Sequence, residues 1–129
     1  MSTPERREVA DLLLRKARAD LAAAELLADH DDQDDGVVGF HAQQACEKAF
    51  KSVLAVAGER LPRTHDLEAL REQLGSAGRA VPGELEDIAQ LSAWAVLMRY
   101  EDADVPLDRP AAIQLASAAI VWAAGQLAS

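Results

Sequence analysis

Apolar residues recur at intervals of three and four along most of the chain, a spacing typical of amphipathic α-helices. The clearest case is the segment 37–57. Around a helical wheel, one side of this segment is apolar and carries Val38, Ala42, Ala45, Cys46, Ala49, Phe50, Val53, Leu54 and Val56. No stretch alternates between apolar and polar residues with a period of two. The pattern therefore predicts an all-α protein.

Helix boundaries follow from this spacing and from residues that start or stop helices. The predicted helices are Pro4–Ala28, Val37–Ala57, His65–Leu74, Pro82–Tyr100 and Pro110–Leu127. Capping is expected from Asp34 or Asp35, Thr64 and Asp108, and termination from Gly58 and Gly75. We expect one domain over residues 1–129, an up-and-down four-helix bundle with an additional short helix between the second and third long helices.

The second helix also carries a polar side. His41, Gln44, Lys48 and Lys51 recur at intervals of three and four, and Glu47 lies at the edge of this sector. A solvated face is the simplest interpretation of one such stripe. Polar residues on the apolar sides of other helices favour a different interpretation, namely that this polar side is part of a site.

Two charged residues fall on sides that should face the core. Asp20 lies between Leu13 and Leu27 on the first helix, and Arg99 extends the side of the fourth helix that carries Leu85 and Ile88. Because an unpaired buried charge is costly, each needs a partner. We expect a shared pocket suited to an anion such as phosphate, with ligand-binding residues Asp20, His41, Gln44, Lys48, Lys51 and Arg99.

The composition of the chain argues against several classes of function. The chain has 129 residues and a formal net charge of −9, which argues against sequence-independent binding to nucleic acid. Cys46 is the only cysteine and lies on the apolar side of its helix, so we expect a buried, inert thiol. No Cys/His spacing resembles a zinc site, and we expect no metal and no cofactor. The charged start, with Glu5 and Arg6, predicts no signal peptide.

The last helix is apolar almost all round. Residues 110–129 contain no charged side chain, but they are rich in alanine, so we expect a buried helix rather than a membrane anchor. Trp94 points nearly opposite Leu85 on the fourth helix. A cytoplasmic homodimer would cover both features, with Trp94, Val121 and Trp122 at its interface.

Several short motifs together resemble the HEPN domain. The run FHAQQACEKAFKSVLAVAG is followed by RTHDL, preceded by KARADL and succeeded by MRY. The resemblance covers about residues 12–127. It implies a helical bundle that tends to dimerise and, for stand-alone bacterial members, pairing with a minimal nucleotidyltransferase in a two-gene system of the toxin–antitoxin type. Its polar positions match Asp20, His41, Gln44, Glu47, Lys48, Lys51 and the His65–Asp66 pair.

Some members of this family are metal-independent ribonucleases, in which an arginine is followed by a histidine four to six residues later. Arg99 fits the arginine, but Asp104, Val105 and Pro106 occupy the histidine positions. A ribonuclease would therefore need His65 or His41 instead. The resemblance also implies that Tyr100, beside Arg99, is a candidate acceptor in nucleotide transfer.

Three functions remain open from the sequence. The favoured one is a dimeric nucleotide-binding partner of a minimal nucleotidyltransferase, without catalysis of its own. The second is a ribonuclease toxin that cleaves RNA with Arg99 and a non-standard histidine. The third is a structural dimer without a ligand, in which polar residues fix the register of the bundle.

Overall fold

The computed structural model describes residues 1–97 and 106–129, and these form helices and connecting segments without a strand. The helices are α1 (Thr3–Ala28), α2 (Asp35–Val56), α3 (Leu67–Ser76), a 3₁₀ helix (Gly83–Ala93), α4 (Trp94–Leu97) and α5 (Arg109–Ala128). The prediction of an all-α fold is confirmed.

Helix α2 lies at the centre of the molecule. It packs against α1, α3, α4, α5 and the 3₁₀ helix. Its predicted apolar side is buried, and Ala42, Ala45, Cys46, Ala49 and Phe50 have no exposed surface. The alanines bring neighbouring backbones close, and Phe50 fills the space between them, meeting the ring of Trp122 edge-on at 5.8 Å between centroids. Burial raises the pKa of the Cys46 thiol, as expected for an inert cysteine.

Helix ends agree with the sequence at some positions and differ at others. Asp34 caps α2, with its carboxylate accepting a hydrogen bond from the Gly36 amide at 3.2 Å. Asp108 caps α5 in the same way through the Ala111 amide at 3.1 Å. Gly58 follows α2 with a φ of 80°, the left-handed conformation that glycine adopts without strain.

Two predicted ends of α3 are wrong. Asp66, not Thr64, is the N-cap, because its carboxylate accepts hydrogen bonds from the amides of Glu68 and Ala69. Thr64 instead accepts a hydrogen bond from the Asp66 amide, and it lies two residues too early to cap the helix. At the other end α3 continues through Gly75 to Ser76, and the left-handed glycine is Gly78, with a φ of 77°.

The predicted fourth helix is not one α-helix. Residues Gly83–Ala93 form a 3₁₀ helix, and α-helical structure begins only at Trp94. Its buried side chains are spaced three apart, as Leu85, Ile88, Leu91 and Trp94. A helix of three residues per turn places every third residue on one face, whereas a 3.6-residue period would scatter this set.

This period also corrects the prediction for Trp94. Its side chain is buried within the protomer, against the backbone of α2 at Gly39, and does not face outward. The prediction that Trp94 lies on an exposed surface is therefore wrong. A 3.6-residue period had placed it opposite Leu85, but the 3₁₀ geometry turns it to the same side.

Helix α5 is only partly buried within the protomer. Ala112, Ala116, Ala119 and Ala123 lie in the core, but Val121 is 69% exposed. Among the described residues, α5 alone is long and apolar enough to cross a membrane by length and composition, with a mean hydropathy of 1.5. A helix in the core of a soluble protein meets the same criterion. In this structure, one third of the residues in the apolar stretch of α5 are buried.

Candidate functional site

Helices α1 and α2 bring the first group of predicted site residues together. The Asp20 carboxylate accepts a hydrogen bond from His41 Nδ1 at 3.0 Å and one from Lys48 Nζ at 2.5 Å. We call these three residues the Asp20 network. The inward position of Asp20, noted from the sequence, is thus explained by two partners on the facing helix.

A second group lies beside it on α2. The Glu47 carboxylate accepts hydrogen bonds from His65 Nδ1 at 2.6 Å, Lys51 Nζ at 3.0 Å and Gln43 Nε2 at 3.2 Å. These four residues form the Glu47 network. Burial alone would raise the pKa of Glu47, but the hydrogen bonds from His65, Lys51 and Gln43 together hold this pKa below its usual value. The carboxylate is therefore ionised at neutral pH.

In both networks the carboxylate lies deeper than the lysine and histidine that pair with it. The Asp20 side chain is 13% exposed, against 28% for His41 and 25% for Lys48. Glu47 is 6% exposed, against 15% for Lys51 and 61% for His65. The groups exposed to solvent are therefore ammonium and imidazole groups, and the two more deeply buried carboxylates fix their positions. Such a surface offers N–H donors to an anion.

Gln43 is a site residue that the sequence analysis missed. Its side chain is fully buried and donates to Glu47 Oε1 and to the backbone oxygen of His65 at 3.1 Å. Its own oxygen accepts a hydrogen bond from Gln44 Nε2 at 2.7 Å. A signal was present, because Gln43, Glu47 and Lys51 recur at intervals of four, but their proximity to apolar residues on the wheel concealed it.

Some predicted site residues lie outside the described part of the chain. Arg99 and Tyr100 belong to residues 98–105, so the convergence of Arg99 on the two networks stays a prediction. Within the described ranges, no group of three or more His, Cys, Asp or Glu residues is arranged to hold a metal ion.

The comparisons with known proteins give one finding. The family model of the HEPN domain matches residues 10–124, nearly the whole chain. Searches of the curated proteins and of the solved structures found no significant match to this chain. The matched range includes α2 and every residue of both networks.

Proposed function

Because this chain belongs to the HEPN domain family, we propose that it binds a nucleotide and serves as the partner of a minimal nucleotidyltransferase. The two proteins would form a two-gene system of the toxin–antitoxin type in the cytoplasm. The chain would act there as a single HEPN domain in a homodimer, without catalysis of its own.

The arrangement of donors above buried carboxylates is the observation that carries this proposal. An ammonium group has three N–H donors, and Lys48 and Lys51 each direct one to a carboxylate. The remaining donors are available to phosphate oxygens. Asp20 and Glu47 already hold the two ammonium groups in place. The lysine side chains therefore lose little conformational entropy when a phosphate binds to them.

Calorimetric titration with ATP, ADP and AMP tests nucleotide binding. We expect Lys48→Gln combined with Lys51→Gln to weaken binding by about tenfold to a hundredfold, since a charged hydrogen bond contributes about 1.5–3 kcal/mol. Arg18→Gln is the matched control, because Arg18 is exposed on α1 and lies on the opposite side of that helix from Asp20. The absence of heat with all three nucleotides would remove the proposal.

Tyr100 is the residue that we propose as the acceptor of a nucleotide from the partner. In that step the phenol oxygen attacks the α-phosphorus of ATP, its proton is released, and pyrophosphate leaves. Incubation with ATP and the proposed nucleotidyltransferase partner should add the mass of one AMP to the peptide containing Tyr100. Tyr100→Phe should abolish the addition, whereas an added mass elsewhere would contradict this assignment.

A second candidate function, RNA cleavage, is favoured by the two histidines. Nδ1 of His41 and of His65 donates to a carboxylate, which leaves Nε2 available for proton transfer. Expression of the protein in cells separates the candidates. A ribonuclease should arrest growth, and both Arg99→Ala and His65→Gln should relieve the arrest. Continued growth with the wild-type protein would exclude this function.

A further inference from the structure

The segment between α2 and α3 carries two arginines that neither network uses. Arg60 and Arg63 lie on either side of Leu61 and Pro62, and we call residues 60–63 the arginine loop. The loop borders a cavity of about 620 Å³, lined by Arg60, Leu61, Pro62, Arg63 and Gln73. This volume is within the range of pockets that hold small ligands.

The charge of this cavity differs from that of the rest of the molecule. Its lining includes two guanidinium groups and no carboxylate, although the chain as a whole has a net charge of −9. Within residues 1–97 and 106–129, neither guanidinium takes part in a salt bridge. The lysines of α2 differ in this respect, since each is already paired with an acid.

The backbone of the segment between α2 and α3 is held at two points by glutamine side chains, one buried and one half-buried. Gln73 on α3 donates a hydrogen bond to the Arg60 carbonyl oxygen at 2.8 Å, and Gln43 on α2 donates one to the His65 carbonyl oxygen at 3.1 Å. Leu61 packs against the hydrophobic core. The loop is therefore positioned before any ligand arrives, which lowers the entropic cost of binding.

We propose that the arginine loop is an anion site that binds a diphosphate group, either within a nucleoside diphosphate or as free pyrophosphate. A guanidinium group offers parallel N–H donors that match two oxygens of one phosphate, so two arginines suit two linked phosphates. The nucleotide form of this ligand rests on the proposed function, whereas the site itself rests on the cavity and its charge.

Calorimetric titration with pyrophosphate tests the site directly. We expect Arg60→Gln combined with Arg63→Gln to weaken pyrophosphate binding by at least about tenfold, the loss of one charged hydrogen bond or more. Arg15→Gln combined with Arg18→Gln is the matched control, because it removes the same charge from exposed positions on α1. Arg60→Lys combined with Arg63→Lys should also weaken binding, since lysine keeps the charge but loses the paired donors.

Titration with both pyrophosphate and ADP separates the arginine site from the proposed nucleotide site. It uses the Arg60/Arg63 variants and the Lys48/Lys51 variant described above. If the Lys48/Lys51 variant loses ADP but keeps pyrophosphate, both the nucleotide site and the arginine site stand. Pyrophosphate binding without binding of ATP, ADP or AMP supports the arginine site and removes the proposed function. Absence of pyrophosphate binding to the wild type, or equal binding by the Arg60/Arg63 variants, overturns the arginine site.

Discussion

Glu47 combines burial and charge on the polar side of α2. Its carboxylate is almost fully buried, yet three side chains donate hydrogen bonds to it. An ionised group in such a position is stable only while all its partners remain. The residue therefore links the stability of the fold to the geometry of the candidate site, because the same contacts hold Lys51 and His65.

We expect Glu47→Gln to lower the free energy of unfolding by about 1–3 kcal/mol at pH 7, the cost of leaving buried donors without a full acceptor. Urea unfolding followed by circular dichroism measures this change. Glu25→Gln is the control, since Glu25 is exposed on α1 and the same substitution should have little effect there. Equal losses in the two variants would contradict the role assigned to Glu47.

The difference between wild type and Glu47→Gln should also depend on pH. The pKa of Glu47 is lower in the folded protein than the ordinary glutamate value of 4.5, so the unfolded state binds the proton more readily. The stabilisation is therefore complete above about pH 4.5 and disappears as the pH falls through the folded-state pKa. Unfolding free energies of both proteins from pH 7 to pH 3 should converge. A constant difference across this range would contradict the assignment.

At this scale the sequence predicted charged partners better than buried amides. Asp20 was recognised because a charge on an apolar stripe requires a partner, and His41 and Lys48 are those partners. Gln43 carries no charge, so its burial raised no comparable signal. Its role depends on the backbone of His65, which is distant along the chain and reaches Gln43 only after folding.

Among the helices, the contact between α2 and Trp94 leaves no room for a side chain at Gly39. A Cβ atom at Gly39 would lie 2.5 Å from Trp94 Cδ2, which is too close for two carbon atoms. Gly39→Ala should therefore destabilise the protein by about 1–3 kcal/mol through overpacking, despite the higher helix propensity of alanine. Thermal unfolding measures the loss.

Gly125→Ala on α5 is the matched control, since a Cβ there meets no atom within 4 Å. It should stabilise the protein by up to about 1 kcal/mol, the difference in helix propensity. Stabilisation by both substitutions would show that Trp94 does not press on the α2 backbone.

The element that was predicted least well from the sequence is the 3₁₀ helix, because its period is three residues per turn rather than 3.6. A window analysed at 3.6 residues per turn assigned Leu85, Ile88, Ser92 and Ala95 to one face. The structure buries Leu85, Ile88 and Ala95 of this set, leaves Ser92 half-buried, and buries Leu91 and Trp94 as well. Both patterns are compatible with the amino-acid sequence of this short segment, so packing against α2, α3 and α5 decides between them.

At the ends of the helices, Arg109 joins α5 to the start of α2 and to the loop before it. Its Nε donates to Asp35 Oδ1 at 2.7 Å, and its terminal nitrogens donate to the backbone oxygens of Ala28, His30 and Gln33. The hydrogen bond from Arg109 is also the main reason that the pKa of Asp35 is lowered. Five fixed N–H donors suit this set of acceptors, and a lysine does not have them.

We expect Arg109→Lys to lower the free energy of unfolding by about 2 kcal/mol, because it removes several hydrogen bonds that involve a charged group. Urea denaturation measures this loss, and Arg18→Lys at an exposed position of α1 is the control. An unchanged midpoint for Arg109→Lys would contradict the role of the guanidinium geometry.

For the whole molecule, the fold class was predictable because helical periodicity is a local property of the sequence. The link between Asp35 and Arg109 was not, since it joins residues 74 positions apart and each alone resembles an ordinary surface charge. The grouping of residues in the Asp20 and Glu47 networks was also not predictable. All members except Gln43 were identified from the sequence, but their division into two groups depends on how α1 and the segment between α2 and α3 pack against α2.

Association of two copies is the remaining prediction, and α5 is where it can be tested. Val121 is exposed, Trp122 is half-buried, and residues 110–129 contain no charged side chain. An uncharged, partly exposed helix is suited to contact with a second copy. Since Trp94 is buried in the protomer, the interface that we expect is formed by α5 without it.

We expect the wild-type protein to sediment as a dimer in analytical ultracentrifugation and Val121→Glu to shift it towards the monomer, because a carboxylate in an apolar interface must be desolvated. Leu26→Glu is the matched control. Leu26 is comparably exposed, at 65% against 69% for Val121, but lies on α1. That variant should remain dimeric. A monomeric wild type, or a Val121→Glu protein that stays dimeric, would contradict an interface on α5.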